Sequence, residues 1–167
     1  IENGRLEQAQ NYIHTICAEI DAGKVTAYCQ NEAANLILSA FVGRAEARGI
    51  PLRVQAVIPQ DLPVSESDLC VLLSNALENA LHACTALHTA GQRADIALSA
   101  YEKNARLFLE ISNSCGNEVA FDGDGIPVTD RPGHGIGVRS ICAIVEKYGG
   151  VCSFSVQNGR FVLRISL

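Results

Sequence analysis

Apolar residues recur along this chain with the period of an amphipathic helix in four segments. Residues three and four apart are repeatedly apolar there, which predicts helices with one buried face. The segments are residues 4–20, residues 32–48 before Gly49, a stretch that begins at the capping-box-like Ser65-Glu-Ser-Asp68, and residues 137–148 before Gly149-Gly150. We expect the first of them to be a connecting or dimer-forming helix.

Apolar and polar residues alternate in five shorter segments, which predicts five strands. Residues 51–59 form the first, and the next two flank the polar turn at residues 102–104. The last two flank Asn158-Gly159, a dipeptide that favours a tight hairpin turn. Residues 114–134 show little periodicity and predict a long loop, which in a compact domain is usually functional. Together these elements predict an α+β fold, with helices on one face of an antiparallel or mixed sheet of about five strands.

The helix that begins near Ser65 carries polar side chains on the face that an amphipathic helix leaves uncovered. Asn75, Glu78, Asn79 and His82 fall within an arc of about 100°, opposite a row of apolar residues. Two amides, an acid and an imidazole in one row suit a divalent cation with attached phosphates, which needs oxygen ligands and hydrogen-bond donors. An ordinary solvated helix face explains the same residues, so the pattern alone leaves both interpretations open.

A glycine-rich sequence, Gly133-His134-Gly135-Ile136-Gly137, leads from the long loop directly into the last predicted helix. Alternate glycines let the backbone approach a ligand, and a helix N-terminus offers free N–H groups to an anion such as a phosphate chain. The same spacing also occurs in ordinary loops. Arg131 and Arg139 are candidates to clamp a phosphate, or plain surface residues. The chain lacks both the G-K-[ST] of a Walker loop and the G-x-G-x-x-G of a dinucleotide fold.

Composition narrows the class of protein further. The 167 residues suffice for one globular domain, and the net charge of −5 argues against a nucleic-acid partner. No apolar run approaches the ~18 residues of a membrane span. Seven cysteines without a C-x-x-C pair fit a reducing compartment and predict no zinc site. The chain begins at Ile1 and contains no Met, so we expect it to be a piece of a longer protein.

The order of these features resembles that of a known superfamily. An Asn-x-x-x-Asn helix, a hairpin and a long loop ending in G-x-G-x-G are similar to the ATP-binding domain of sensor histidine kinases, gyrase-type ATPases, Hsp90 and MutL, the GHKL superfamily. The catalytic domain of AgrC-like, peptide-sensing histidine kinases resembles this chain most, in the stretches Tyr28-Cys29-Gln30-Asn31, Asn35-Leu-Ile-Leu-Ser39, Gly133–Gly137 and Arg139-Ser140-Ile141. The resemblance implies a two-layer α/β sandwich of the Bergerat type, with a mixed sheet. It also implies a connecting or dimerisation helix remnant in residues 1–25 and an ATP-binding catalytic domain in residues 26–167.

The resemblance further implies a set of residues around Mg²⁺ and ATP. Asn79 is the expected magnesium ligand, and Asn75 stands where gyrase-type ATPases carry a catalytic glutamate, so these two are the catalytic candidates. His82 falls where many histidine kinases carry a lysine that reaches the phosphates. Residues 115–134 correspond to the mobile ATP lid. The remaining expected ATP contacts are Glu78, Asn113, Arg131, His134, Gly135, Ile136, Gly137 and Arg139.

Asn113 marks a departure from the family pattern. The first glycine box of the family begins with an Asp that accepts a hydrogen bond from the adenine amino group. In this chain the corresponding strand ends in Asn113-Ser-Cys-Gly116. An asparagine can still accept that bond through its side-chain oxygen, although without charge.

The function that the resemblance implies is that of the catalytic domain of a two-component sensor histidine kinase. Such a domain transfers the γ-phosphate of ATP to a histidine outside this chain, and its parent acts on a response regulator. We expect the cytoplasmic domain of a membrane-anchored bacterial sensor, able to form a homodimer through its upstream helices. One alternative is a gyrase- or MutL-type ATPase, but Asn75 argues against it because an amide cannot take a proton from attacking water. The other is a non-catalytic interaction module with a decayed nucleotide pocket. Two observations keep it open: Asn113 replaces the family's Asp, and the chain lacks a phosphoacceptor, because His14 is without the acidic neighbour typical of one.

Overall fold

A computed structural model describes residues 27–116, 119–128 and 135–167. The predicted helix at 4–20, His14 and the site candidates Arg131 and His134 lie outside the described residues. The helices are α1 (Glu32–Glu46), α2 (Glu66–Thr89) and α3 (Ile136–Lys147). The strands are β1 (Leu52–Val57), β2 (Ile96–Lys103), β3 (Arg106–Ser114), β4 (Ala120–Phe121), β5 (Pro127–Val128), β6 (Val151–Gln157) and β7 (Arg160–Ser166).

Five of the strands form one mixed sheet in the order β1-β2-β3-β7-β6, whereas β4 pairs with β5. β1 and β2 run parallel and are joined by the crossover helix α2, while the other neighbours in the sheet are antiparallel. Alternate residues of β2 and β3 are buried in the same core as the helices. The predicted mixed sheet of five strands with helices on one face is therefore confirmed.

The apolar face of α2 fixes the orientation of this helix. All seven residues predicted on that face are at most 4% exposed, namely Leu72, Leu73, Ala76, Leu77, Ala80, Leu81 and Cys84. Burying one leucine side chain contributes ~1.5–3 kcal/mol, so burial of the four leucines decides which face of this helix turns toward the core. Their burial turns the row from Asn75 to His82 away from the core.

Side chains cap the first two helices. The Oδ1 atom of Asn31 accepts from the Ala34 amide at 2.9 Å, and the Oγ atom of Ser65 accepts from the Asp68 amide at 3.2 Å. The cap at Ser65 agrees with the sequence prediction. α1 ends at Glu46, two residues earlier than predicted, because the chain tightens into a turn that reaches Gly49 at a φ of 67°.

The region predicted as a long loop contains the short hairpin of β4 and β5. The carboxylate of Asp122 accepts hydrogen bonds from the Asp124 and Ile126 amides, at 3.0 and 2.9 Å, and so builds the turn of this hairpin. Strands of two residues show no measurable alternation, which is why the sequence pattern did not predict them.

α3 buries a slightly different stripe from the predicted one. Ile141, Ile144 and Val145 are buried, as against the predicted Val138, Ile141, Cys142 and Val145. Val138 and Cys142 are only half-buried. Val138 contributes instead to the wall of a cleft between α2 and α3.

Candidate nucleotide-binding site

Charged side chains fasten α2 to both neighbouring helices. Arg44 of α1 makes a two-point ion pair with Glu78 at 3.0 and 2.8 Å, and Lys147 of α3 contacts Asp68 at 2.7 Å. Partial burial alone would raise the pKa of Asp68, but the hydrogen bonds from Lys147 and Tyr148 outweigh it and lower that pKa. These contacts, one in the first turn of α2 and one near its middle, tie the helix to α3 and to α1.

A cleft of about 250 Å³ opens between α2, α3 and the sheet. Its walls are mostly apolar, with the polar side chains of Asn79 and Asn113 set among them, a composition typical of small-molecule sites. The residues that line it are Ala76, Asn79, Ala80, Ala83, Ile111, Asn113, Cys115, Val119, Pro127, Val128, Gly135, Val138, Ile141, Phe154, Phe161 and Leu163.

Asn75 and Asn79 face the first turn of α3 at Gly137. A Cβ atom at Gly137 would lie 3.4 Å from the Oδ1 atom of Asn75 and 3.5 Å from the Nδ2 atom of Asn79. The missing side chain thus leaves a space of about one methyl group between the two amides and the backbone of α3. The structure thus brings together the two asparagines of α2 and the glycine-rich turn, which are far apart in the sequence.

The N-terminus of α3 lacks the side-chain cap that α1 and α2 possess. Gly135 occupies the cap position in the left-handed region, at a φ of 96°, and provides no side-chain hydrogen bond. A residue with a side chain would be strained there, so glycine is required by the backbone. The first N–H groups of α3 and the positive end of its dipole are therefore available to an anion at the edge of the cleft.

Asn113 lies at the end of β3 and is only 3% exposed. Its Nδ2 atom donates to the carbonyl oxygen of Ser114 at 2.8 Å. This bond engages one N–H group of the amide nitrogen, and the amide oxygen of Asn113 can accept a hydrogen bond from a ligand in the cleft that Asn113 lines.

Six of the predicted contact residues that the structure describes do not line this cleft, namely Asn75 and Gly137, which meet beside it, and Glu78, His82, Ile136 and Arg139. Glu78 is turned toward Arg44, and its Oε1 atom is also 4.0 Å from the Nε2 atom of His82, an exposed residue. Ile136 and Arg139 line a neighbouring cavity formed with the β4–β5 hairpin. Their predicted contacts with ATP stay predictions, and the ion pair gives Glu78 a second role that the sequence did not indicate.

The donor set suits a magnesium ion that arrives with phosphates. Within the described ranges, no three His, Cys, Asp or Glu side chains cluster as a metal site. Mg²⁺ requires few protein ligands when phosphate and water oxygens complete its octahedron. The amide oxygen of Asn75 faces Gly137, and the amide of Asn79, whose nitrogen faces Gly137, also lines the cleft, so the two side chains fit this limited role.

Sequence reasoning missed the aromatic and thiol residues of the cleft. Phe154 and Phe161 come from the last hairpin, and their ring centroids are 6.2 Å apart. The alternation of that hairpin already indicated that both face the helices, so they could have been named. Cys115 also lines the cleft, and burial raises the pKa of its thiol. Cys84 does not line the cleft, and burial raises the pKa of its thiol to about 11, so it remains a protonated core residue.

Comparison with known proteins identifies the family of this chain. A family model described as the GHKL domain matches residues 64–167. This chain therefore belongs to the GHKL family. A search of curated proteins gave no match.

Several solved structures share the fold. The catalytic domain of histidine kinase ThkA is 16% identical, with a TM-score of 0.65 over 81% of this chain and 91% of that one. Histidine kinase AdeS of Acinetobacter baumannii is 16% identical, with a TM-score of 0.62 over 98% of this chain and 77% of its own. Full-length ShkA in complex with AMPPNP is 16% identical, with a TM-score of 0.59 over 80% of this chain and 28% of its own. The fold is thus that of histidine kinase catalytic domains.

Among the described helices, none is long and apolar enough to cross a membrane.

Proposed function

We propose that this chain is the ATP-binding catalytic domain of a two-component sensor histidine kinase, which transfers the γ-phosphate of ATP to a histidine outside this chain. The observation that carries the proposal is a single cleft that joins the buried amide of Asn113 to Asn79, beside the uncapped N-terminus of α3. A nucleotide has the same polarity, with a flat apolar base at one end and a charged phosphate chain at the other.

The sheet end of the cleft suits adenine. Ile111, Phe154 and Leu163 provide apolar contacts for a flat base, and the oxygen of Asn113 provides one acceptor. The adenine amino group is a donor, whereas guanine presents a carbonyl oxygen at the corresponding position. Asn113 therefore favours adenine, and Asn113→Leu should erase a preference for ATP over GTP.

The helix end of the cleft suits the phosphates and Mg²⁺. The N–H groups at the start of α3 donate hydrogen bonds to phosphate oxygens, and Asn79 supplies an oxygen ligand to the metal. Neutralising the negative charge in this way is the main contribution that a protein makes to phosphoryl transfer, because the reaction is governed by positioning and electrostatics.

The chemistry of the cleft favours transfer over hydrolysis. Among the described residues that line it, none is an Asp or a Glu, and Asn75 beside it is an amide. Activation of water requires a group that accepts a proton. The described lining also contains no His, which is consistent with an acceptor histidine outside this chain.

Finer proposals follow from the same resemblance. We infer that the parent is an AgrC-like, peptide-sensing kinase, since Tyr28, Asn31 and Asn35 of the matching stretches together form the entry to α1. The Oδ1 atom of Asn35 accepts from the Tyr28 amide at 2.6 Å, and Asn31 caps the helix. The parent would be a membrane-anchored bacterial sensor that dimerises through upstream helices and phosphorylates a response regulator.

A transfer experiment tests the proposal. The 167-residue chain and the longer parent protein are incubated with γ-labelled ATP, and acid-labile label is counted on each. We expect slow hydrolysis and no label on the 167-residue chain, and label on a histidine of the longer protein. Label on the shorter chain would show that the acceptor is misplaced, with His14 as the first suspect. ATP binding without label on either chain would instead favour the non-catalytic module.

A further inference from the structure

Asn113 introduces a problem that an aspartate would not have. The two ends of an amide are nearly equal in size, but one accepts and the other donates hydrogen bonds. If the amide turned by 180°, it would present a donor to the base and would suit the carbonyl oxygen of guanine instead of the amino group of adenine. A chain that uses Asn113 to select adenine must therefore hold this amide in one orientation.

The carbonyl group of Ser114 provides that control. It accepts from the Nδ2 atom of Asn113 at 2.8 Å, and the turned amide would place two acceptor oxygens against each other. The thiol of Cys84 also lies within 3.8 Å of the same carbonyl oxygen, as a second donor. The orientation of the amide thus depends on where the backbone of Ser114 is held.

Ser114 is held by an ion-paired group at the start of β2. Its amide donates to the Asp95 carbonyl oxygen at 3.0 Å, its hydroxyl donates to the Asp95 carboxylate at 3.1 Å, and the same hydroxyl accepts from the Asp95 amide at 3.1 Å. Arg160 donates to that carboxylate at 2.8 Å, and its other nitrogen donates to the carbonyl and hydroxyl oxygens of Ser112, both at 3.2 Å. The residues on either side of Asn113 are therefore both fixed.

We propose that Ser114, Asp95 and Arg160 form a clamp that orients the Asn113 amide and so sets the preference of this site for adenine over guanine. The proposal rests on the proposed function of Asn113 as the adenine acceptor. None of the three clamp residues lines the cleft, so they are positioning residues that act through Asn113. Arg53 also contacts the Asp95 carboxylate at 2.7 Å, which leaves both carboxylate oxygens engaged.

The ionisation of Asp95 is consistent with this role. Partial burial by itself would raise the pKa of Asp95, but the hydrogen bond and charge of Arg160, with contributions from Ser114 and Arg53, lower it on balance. The carboxylate is therefore negatively charged at neutral pH and available as the acceptor for the Ser114 hydroxyl.

The test measures the ratio of dissociation constants for GTP and ATP by calorimetric titration of the 167-residue chain. The two nucleotides carry identical phosphates, so a general loss of affinity cancels in the ratio. We expect Ser114→Ala to lower the preference for ATP by about tenfold, the effect of one misdirected buried hydrogen bond. Ser114→Thr retains the hydroxyl and should preserve the preference of the parent. Asp95→Asn removes the charged acceptor and should also lower the preference for ATP over GTP. It provides a second variant if Ser114→Ala fails to fold.

The matched control is Arg164→Gln. Arg164 lies on the same strand as Arg160. It forms an ion pair with Glu110 of β3 at 2.6 Å and takes no part in the hydrogen bonds described around Asn113. Its loss should leave the ratio unchanged. An unchanged ratio in both Ser114→Ala and Asp95→Asn, while Asn113→Leu still abolishes the preference, would overturn the clamp and leave the adenine contact intact. A parent chain that binds both nucleotides equally, or neither, would overturn the adenine assignment and the clamp together.

Discussion

Gly137 allows the proposed phosphate site to be tested without disturbing the fold. The structure leaves room for a Cβ atom there, 3.4 Å from the Asn75 oxygen and 3.5 Å from the Asn79 nitrogen, which are ordinary contact distances. Gly137→Ala should therefore fold without backbone movement. Replacing a helical glycine with alanine stabilises a helix by about 0.5–1 kcal/mol, and less near a helix end, so the free energy of unfolding should stay level or rise slightly.

The same methyl group should impair binding of Mg-ATP. It would contact both amides at the first turn of α3, beside the position where we place the magnesium ion and the phosphates. Losing one charge-assisted contact costs about 1.5–3 kcal/mol, which corresponds to a loss of affinity of at least about tenfold. Stability and binding should thus move in different directions, which a simple folding defect cannot produce.

The control for this experiment is Gly43→Ala in α1. A Cβ atom at Gly43 would meet nothing within 4 Å, so this variant gains the helical preference of alanine and touches no part of the cleft. Urea unfolding measures stability, and calorimetric titration with Mg-ATP measures binding. Equal affinity of the Gly137→Ala and Gly43→Ala variants would refute the placement of the phosphates between α2 and α3.

Three further predictions concern the scaffold. Gly150→Ala should lower the free energy of unfolding by about 1–3 kcal/mol, because its Cβ would overlap the Ser166 carbonyl oxygen, a backbone atom that cannot rotate away; chemical denaturation measures this. A double-mutant cycle of Arg44→Ala and Glu78→Ala should give a coupling of about 1 kcal/mol, since the side chains are 22% and 28% exposed; a coupling of zero would contradict a stabilising role. The pKa of Asp95 is lowered in the folded state. The stability that its ionised carboxylate contributes is therefore present above the unfolded pKa and disappears as the pH falls below about 4. The difference in unfolding free energy between the parent and Asp95→Asn should therefore shrink on acidification, and a difference that stays constant from pH 6 to pH 3 would contradict this.

Hydrophobic periodicity was sufficient to predict the layers of this fold, because burial of apolar faces decides them. The turn at Asn158-Gly159 was also predictable, since both residues adopt positive φ, at 51° and 73°, as their types allow. The other hairpin turn lies one residue beyond its predicted place. Asn104 and Ala105 form it at φ values of 54° and 58°, and alanine gives no sequence signal for that conformation.

The candidate site was predictable only in part, for a physical reason. The helical period of α2 placed Asn75 and Asn79 on one exposed face, but their contact with Gly137 arises from the packing of α2 against α3. Glu78 belongs to the same face and yet pairs with Arg44, which lies 34 residues earlier in the chain. Local patterns indicate which face a residue occupies, whereas its partner depends on tertiary packing.

The role of Asn79 as a magnesium ligand is tested most directly by calorimetric titration of ATP onto the parent chain and the Asn79→Ala variant. Each protein is titrated with Mg²⁺ and with a chelator. If Asn79 ligates the metal beside Gly137, Mg²⁺ should strengthen ATP binding to the parent, and Asn79→Ala should remove most of that gain while metal-free binding stays close to the parent value. Equal affinity of the parent and the variant for Mg-ATP, or no ATP binding by the parent, would contradict magnesium ligation by Asn79 in an ATP-binding site.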